Sequence, residues 1–207
     1  MRLILGPELA EQLDLLYNEM AAAYDQVAGQ LGLTCSGCPD NCCDSYFMHH
    51  TYLEWSYLWR GLAELPGDKQ KEILARAEEY EQKCQAAISA GQRPQFMCPL
   101  NESERCILYK HRLMVCRTHG VPAAMTRPDG KRLKFPGCFR CQDIVEKNYP
   151  DSEQVVVMDR TGLLRQLVVL EQQFLSGKRH LAPRVKMTIA GMLTSGPPAL
   201  PDCSDRK

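Results

Sequence analysis

The chain has 207 residues, 44% of them hydrophobic and 24% charged, the proportions of a folded globular domain. Its 25 basic and 25 acidic residues cancel, which argues against a general nucleic-acid binder or a polybasic membrane protein, since both carry excess positive charge. Eleven cysteines are the departure from average that an account of function must explain.

In chain order, residues 3–5 form the longest apolar run near the start, too short for a secretory signal. No run nears the ~20 residues that cross a bilayer. The expected location is therefore the cytoplasm. Thiols stay reduced there, and a cysteine cluster more often binds metal or does redox work than forms disulfides. An odd number of cysteines also cannot all pair.

Residues 7–31 predict one long helix. Leu9, Leu13, Leu16, Met20, Tyr24, Val27 and Leu31 step by three or four, Pro7 suits the first position and Gly32 the stop. A loop with Cys35, Cys38, Cys42 and Cys43 follows, then Ser45–Met48 as a short strand. Thr51-Tyr52-Leu53-Glu54 matches a capping box and predicts a helix from residue 52, ended by Pro66-Gly67. Asp68 is the expected cap of a helix running to about Ala90, with Ile73, Ala77, Tyr80, Cys84 and Ala87 on one face.

Residues 92–141 carry Pro94, Pro99, Gly120, Pro122, Pro136 and Gly137, which predicts an irregular segment too sparse in apolar residues for a conventional core. Within it, Cys106–Tyr109 reads as a short strand and Arg127-Pro128-Asp129-Gly130 as a turn from which 131–135 returns. Helices are expected over 159–176, capped by Asp159 with Leu163, Leu167, Leu170 and Phe174 facing inward, and over 184–194. Residues 195–207 read as a disordered tail. The expected fold is mostly α, a single domain over 1–193. Its helices pack around a metal-stabilised core, a small irregular, short-β cysteine-rich centre over 33–145.

Nine cysteines carry the chemistry: Cys35, Cys38, Cys42 and Cys43 in one group, and Cys98, Cys106, Cys116, Cys138 and Cys141 in another. The pairs 35/38 and 138/141 have the Cys-x-x-Cys spacing that points two thiolates at one ion. Cys42 and Cys43 are adjacent, and neighbouring side chains diverge, so the two would serve different sites or different irons of one cluster. Nine thiols exceed the four that one zinc or one ordinary iron–sulfur cluster takes. The expectation is two metal centres or one polynuclear centre, holding zinc or iron, since thiolates suit both. Cys84 reads as core and Cys203 as incidental.

Among the histidines, His119 follows Cys116 at ligand spacing, while His49 and His50 are candidate hydrogen-bond donors beside the first group. From Arg105 to Arg140 there are nine basic residues and one acid, a net +8 that the rest of the chain balances. That segment is either a solvated face or a site for an anionic or protein partner; nucleic acid is the weaker candidate.

The order of these elements resembles the YkgJ-type cysteine-cluster family, described as a zinc- or iron-chelating domain. The resemblance runs over residues 33–145. It starts with Cys35, Cys38 and the Cys42-Cys43 pair, followed by a helix with Glu54 in its first turn. Cys98-Pro99-Leu100, Cys106-Ile107-Leu108-Tyr109, Cys116-Arg117, and Cys138 with Cys141 then follow in order. The chain departs from the pattern at Arg112-Leu113, where Arg-Pro is common. The resemblance implies metal chelation. A flagellin lysine methylase is similar in its cysteine cluster, so the scaffold admits enzymes.

The leading expectation is a metal-binding protein whose centre is structural or concerned with metal handling. The alternatives are an iron–sulfur enzyme with redox or methylase-like activity, and a zinc-ribbon-like adaptor for nucleic acid or a protein partner. Thiol–disulfide exchange would need an exposed thiol of low pKa. The nearest things to catalytic groups are His119, Arg117 and Tyr109.

Overall fold

A computed structural model describes residues 1–36, 38, 42–150 and 154–201. Helix α1 spans Pro7–Leu31 as its apolar stripe predicts, with Pro7 in its first turn. Gly32 takes the left-handed conformation, and its N–H returns to the carbonyls of Ala28 and Gly29. Helix α2, Tyr52–Ala63, begins where the capping signal places it. Thr51 accepts from the Glu54 N–H, and the Glu171 carboxylate takes the Tyr52 and Leu53 N–H groups at 3.0 and 2.8 Å. Both partners satisfy N–H groups that the first turn of any helix leaves over.

Helix α3 spans Gly67–Ser89 and buries Ile73, Ala77, Tyr80 and Cys84. The residue before it is Pro66, and Asp68 lies inside its first turn without capping it. Helix α6, Thr161–Leu175, lies on α1 and α2, and α7, Ile189–Thr194, on α3. Asp159 precedes α6 at one remove, and its carboxylate accepts the Thr161 N–H at 2.8 Å. The start expected at residue 184 moves to 189, where Thr188 caps α7 by accepting from Gly191 N–H.

Between α3 and α6 run two short helices, α4 (Met114–Thr118) and α5 (Phe139–Asn148), and small sheets. Strand β1 (Asn101–Glu102) pairs antiparallel with β2 (Arg105–Cys106). Strands β3 (Ala123–Thr126) and β4 (Arg132–Phe135) form the expected hairpin around Arg127–Gly130. Strand β5 (Met158–Asp159) runs parallel to β3. Ser45–Met48 forms no strand, and the nearest pairing is a single bridge from His49 to Met187. The strand expected at Cys106–Tyr109 stops at Cys106, and a 3-10 turn over Tyr109–His111 replaces the rest.

Two apolar clusters hold the chain. The larger gathers Leu13, Leu16, Tyr17 and Met20 of α1 with Leu53, Tyr57, Leu58 and Leu62 of α2, Ile73 of α3 and Met192 of α7. The smaller sits at the far end of α1, where Val27, Ala28 and Leu31 meet Leu33, Val121, Ala123, Cys141 and Met158. The cysteine-rich segment is thus less bare of core than its composition suggests, because Leu100, Leu108, Leu113 and Val121 are buried. The tail reading fails over 195–201. Arg2 bridges to Ala199, the Leu200 N–H donates to Met1 O at 2.9 Å, and Leu200 joins the larger cluster. Residues 202–207, with Cys203, lie outside the described residues.

Candidate metal centre

Cys43, Cys98, Cys106 and Cys116 come from four separate segments. They belong to a 3-10 turn over Cys42–Asp44, the connection from α3 to β1, strand β2 and helix α4. The backbone stitches these segments together. Cys98 N–H donates to Cys43 O at 2.9 Å, Asn101 N–H to Cys98 O at 2.9 Å and Ile107 N–H to Leu100 O at 2.8 Å.

Glu54 sets the fourth segment. Its buried carboxylate accepts from Tyr17 Oη at 3.1 Å, Thr51 Oγ1 at 2.9 Å and the Met114 N–H at 2.7 Å, which fixes the start of α4 two residues before Cys116. Burial holds the Glu54 carboxyl above its ordinary pKa despite these donors. Lys69 Nζ and Arg76 Nη2 reach Glu102 Oε1 at 2.5 and 2.6 Å, which pins the β1–β2 hairpin to α3.

The four thiols sense one another. Burial pushes Cys116 up to about 12 and Cys106 up to about 11, and raises Cys98 as well; neighbouring thiols add to all three rises. Cys43 moves the other way, down to about 6. The Cys42 thiol donates to it, and the Asn101 amide and the Arg112 cation assist. Cys42 is raised by that same hydrogen bond and by burial. Arg112 opposes the rise at Cys106 and Cys116, and Arg117 opposes it at Cys106. These two cations of the basic segment therefore act on the thiols.

The second group lies around Tyr24, in the C-terminal half of α1. Tyr24 Oη stands 3.8 Å from Cys35 Sγ, and Cys35, Cys138 and Cys42 all help raise its pKa, after burial. Cys38 N–H turns back to Cys35 O at 3.2 Å. Cys138 starts α5, and Cys141 is fully buried beside it, raised to about 11 chiefly by burial.

In donor chemistry these residues fit a thiolate-bound metal. Arg112 Nε is buried without a hydrogen-bond partner, and the Asn101 amide hydrogen-bonds to the Cys43 sulfur. Such donors suit an anionic centre, which takes hydrogen bonds at sulfur. No three His, Cys, Asp or Glu donors among the described residues stand close enough together to hold an ion, so binding would draw the thiols inward. No disulfide joins the described cysteines.

The histidines go elsewhere. His119 packs on the Phe47 ring at 4.8 Å, His111 on Tyr57 at 4.7 Å, and His50 Nδ1 meets Val185 O at 3.2 Å. His49 is buried against the segment before α7, and burial pushes its pKa down to about 3. Cys84 is core, as read.

A cleft of about 550 Å³ is lined by Asp14, Tyr17, Asn18, Tyr109, Lys110 and Arg117 and by none of the thiols. Arg117 lies over the Tyr17 ring at 4.1 Å, and its guanidinium donates to the carbonyls of Arg112 and Lys110.

Sequence reasoning missed Tyr24, Asn101 and Arg112 as site residues. Tyr24 stands on the stripe of α1 and reads as core, although a tyrosine two turns before the end of a helix that leads into a cysteine loop can bring a polar tip to that loop. The chain matches no protein-family model, no curated protein and no solved structure.

Proposed function

We propose that the chain is a metal-binding cysteine-cluster protein of the YkgJ type, cytoplasmic, whose centre is structural or serves metal handling. One observation carries this reading. Four thiols from four distant segments lie within electrostatic reach of one another, beside the Asn101 amide and the unpartnered Arg112 Nε. Cys43, Cys98, Cys106 and Cys116 would hold zinc or iron there, with Asn101 and Arg112 hydrogen-bonding to sulfur. Bound zinc would supply a closed structural link, and iron–sulfur would supply electron transfer.

The remaining residues position these groups. Glu54 sets α4, and Arg76 with Lys69 sets the hairpin of Cys106. Supporting the reading, the cysteine elements follow the family order over 33–145.

The test is anaerobic purification, then an absorption spectrum and elemental analysis of one sample. Zinc at one or two per chain, or brown protein with matching iron and sulfide, supports the reading. Metal-free protein at full thiol content sinks it. A second reading, an iron–sulfur enzyme, is favoured by the cleft, where Lys110 and Arg117 would meet an anionic substrate and where the Arg117 charge also acts on the Cys106 thiol. It predicts a coloured centre whose spectrum shifts when such a ligand binds, and loses that shift in Lys110→Ala.

A further inference from the structure

We propose that the open edge of strand β4 is a docking site for an extended acidic peptide, which joins the sheet as a further strand and alternates acidic with apolar side chains. Docking there would not depend on metal.

The sheet order leaves β4 outermost, with β3 in the middle and β5 beyond it. The turn between β3 and β4 fixes which backbone groups of β4 are free. Gly130 N–H donates to Arg127 O and Arg127 N–H to Lys131 O, both at 2.9 Å. Gly130 has a φ of 81°, the left-handed residue that closes a three-residue hairpin loop. Residues 127 and 131 are therefore a hydrogen-bonded pair. Bonding alternates along an antiparallel register, so Leu133 and Phe135 bond to Met125 and Ala123. Arg132 and Lys134 turn their N–H and C=O groups away from β3. The far side of β3 agrees, because Ala124, opposite Lys134, accepts from Arg160 N–H at 2.8 Å beside β5. Among the described residues, no backbone hydrogen bond from a turn or loop reaches Arg132 or Lys134. The free stretch is short, bounded by the turn and by Pro136, which has no N–H.

The side chains define the occupant. Arg132 and Lys134 are exposed on one face, and Leu133 and Phe135 are half-buried on the other. Among the described residues, Lys131, Arg132 and Lys134 have no carboxylate within ion-pair distance, whereas Arg127 pairs with Asp129 at 3.0 Å. Asp159 senses Arg132 from β5, but its pKa is lowered chiefly by Thr161, whose N–H it accepts at 2.8 Å.

Cations on an edge strand deter self-pairing. A second copy would set the cations of one chain against those of the other, so like charge disfavours it. The same charge selects a strand that places carboxylates opposite. Acidic side chains of the peptide would meet Arg132 and Lys134, and apolar ones on its other face would cover Leu133 and Phe135. Main-chain hydrogen bonds to residues 132 and 134 would supply the affinity.

The test is fluorescence anisotropy of the full-length protein with a short labelled peptide of alternating Glu and Val. Control peptides carry Lys in place of Glu, or N-methyl groups on one or the other alternate set of main-chain amides. The expected result is binding of the Glu peptide, blocked by methylation of one set and kept with the other, because only every second amide of an added strand faces the edge. The Lys peptide should not bind. Arg132→Glu/Lys134→Glu should bind the Glu peptide about tenfold more weakly and take up the Lys peptide, a reversal that misfolding would not produce. No binding of the Glu peptide by the wild type, or dimerisation of the wild type in its place, overturns the proposal and leaves the cations as protection against self-pairing. Equal effects of the two methylated sets overturn it in favour of charge attraction alone. Tighter binding of a labelled single-stranded oligonucleotide overturns it in favour of phosphate.

Discussion

The helical part of the molecule and its cysteine-rich centre bury different things. Around α2 the buried groups are Leu53, Leu58 and Leu62 at 0% exposure, and the polar groups among them are paired: the indoles of Trp55 and Trp59 both reach Met192 O. Around Cys43 the buried or half-buried groups are thiols, most pushed above their ordinary pKa, together with the Asn101 amide on Cys43 and an Arg112 N–H that has no partner. The first region is filled with hydrocarbon, and its indoles are hydrogen-bonded. The second leaves chemistry unmet, and what it leaves, soft thiols with N–H donors beside them, describes the ligand it would take.

The largest expected effect breaks the helical side. Leu58→Ala empties a fully buried site and should cost roughly 3–5 kcal/mol in chemical denaturation, with metal stoichiometry unchanged in the protein that remains folded.

Acid acts next, through His49. Its pKa falls to about 3 in the fold, so the unfolded chain binds the extra proton between that value and about 6.5. The contribution of neutral His49 is fully present above the unfolded pKa and drains as pH falls. Stability should drop by about 2 kcal/mol from pH 7 to pH 5. Denaturation at the two pH values in His49→Gln should show that much less slope, and an unchanged slope would place the proton uptake elsewhere.

Removing the cap of α2 is smaller still: Thr51→Ala should cost about 1 kcal/mol by thermal or urea melting. Arg76→Ala should have the least effect, below about 1 kcal/mol, because the Glu102 pair is partly exposed and Lys69 remains as a partner. A larger loss there would mean that the β1–β2 hairpin, and Cys106 with it, depends on α3 more than the pairing indicates.

How much of this was legible in the sequence follows the same divide. α1 could be read to the residue, because Pro7 and Gly32 mark both ends of an unbroken stripe. The start of α2 and the β3–β4 hairpin were equally plain, since Thr51 and Arg127–Gly130 act locally. Local signals failed where the partner is distant. Helix α5 starts at Cys138, whose N–H is held by Gly120, and strand β5 exists only beside β3. The order around 195–201 comes from Met1 and Leu3, at the opposite end of the chain. For the site, adjacency in sequence suggested that Cys42 and Cys43 diverge, whereas the Cys42 thiol donates to Cys43. The grouping of Cys43 with Cys98, Cys106 and Cys116 depends on tertiary packing and left no trace in spacing.

The central claim, that the cysteine-rich centre is completed by metal while the helical part stands without it, is tested most directly by amide hydrogen exchange on metal-loaded and metal-stripped full-length protein. The account predicts faster exchange over 33–48 and 92–141 on stripping, with α1, α2, α3 and α7 protected as before. Exchange that rises evenly over the whole chain, or does not change at all, would contradict it.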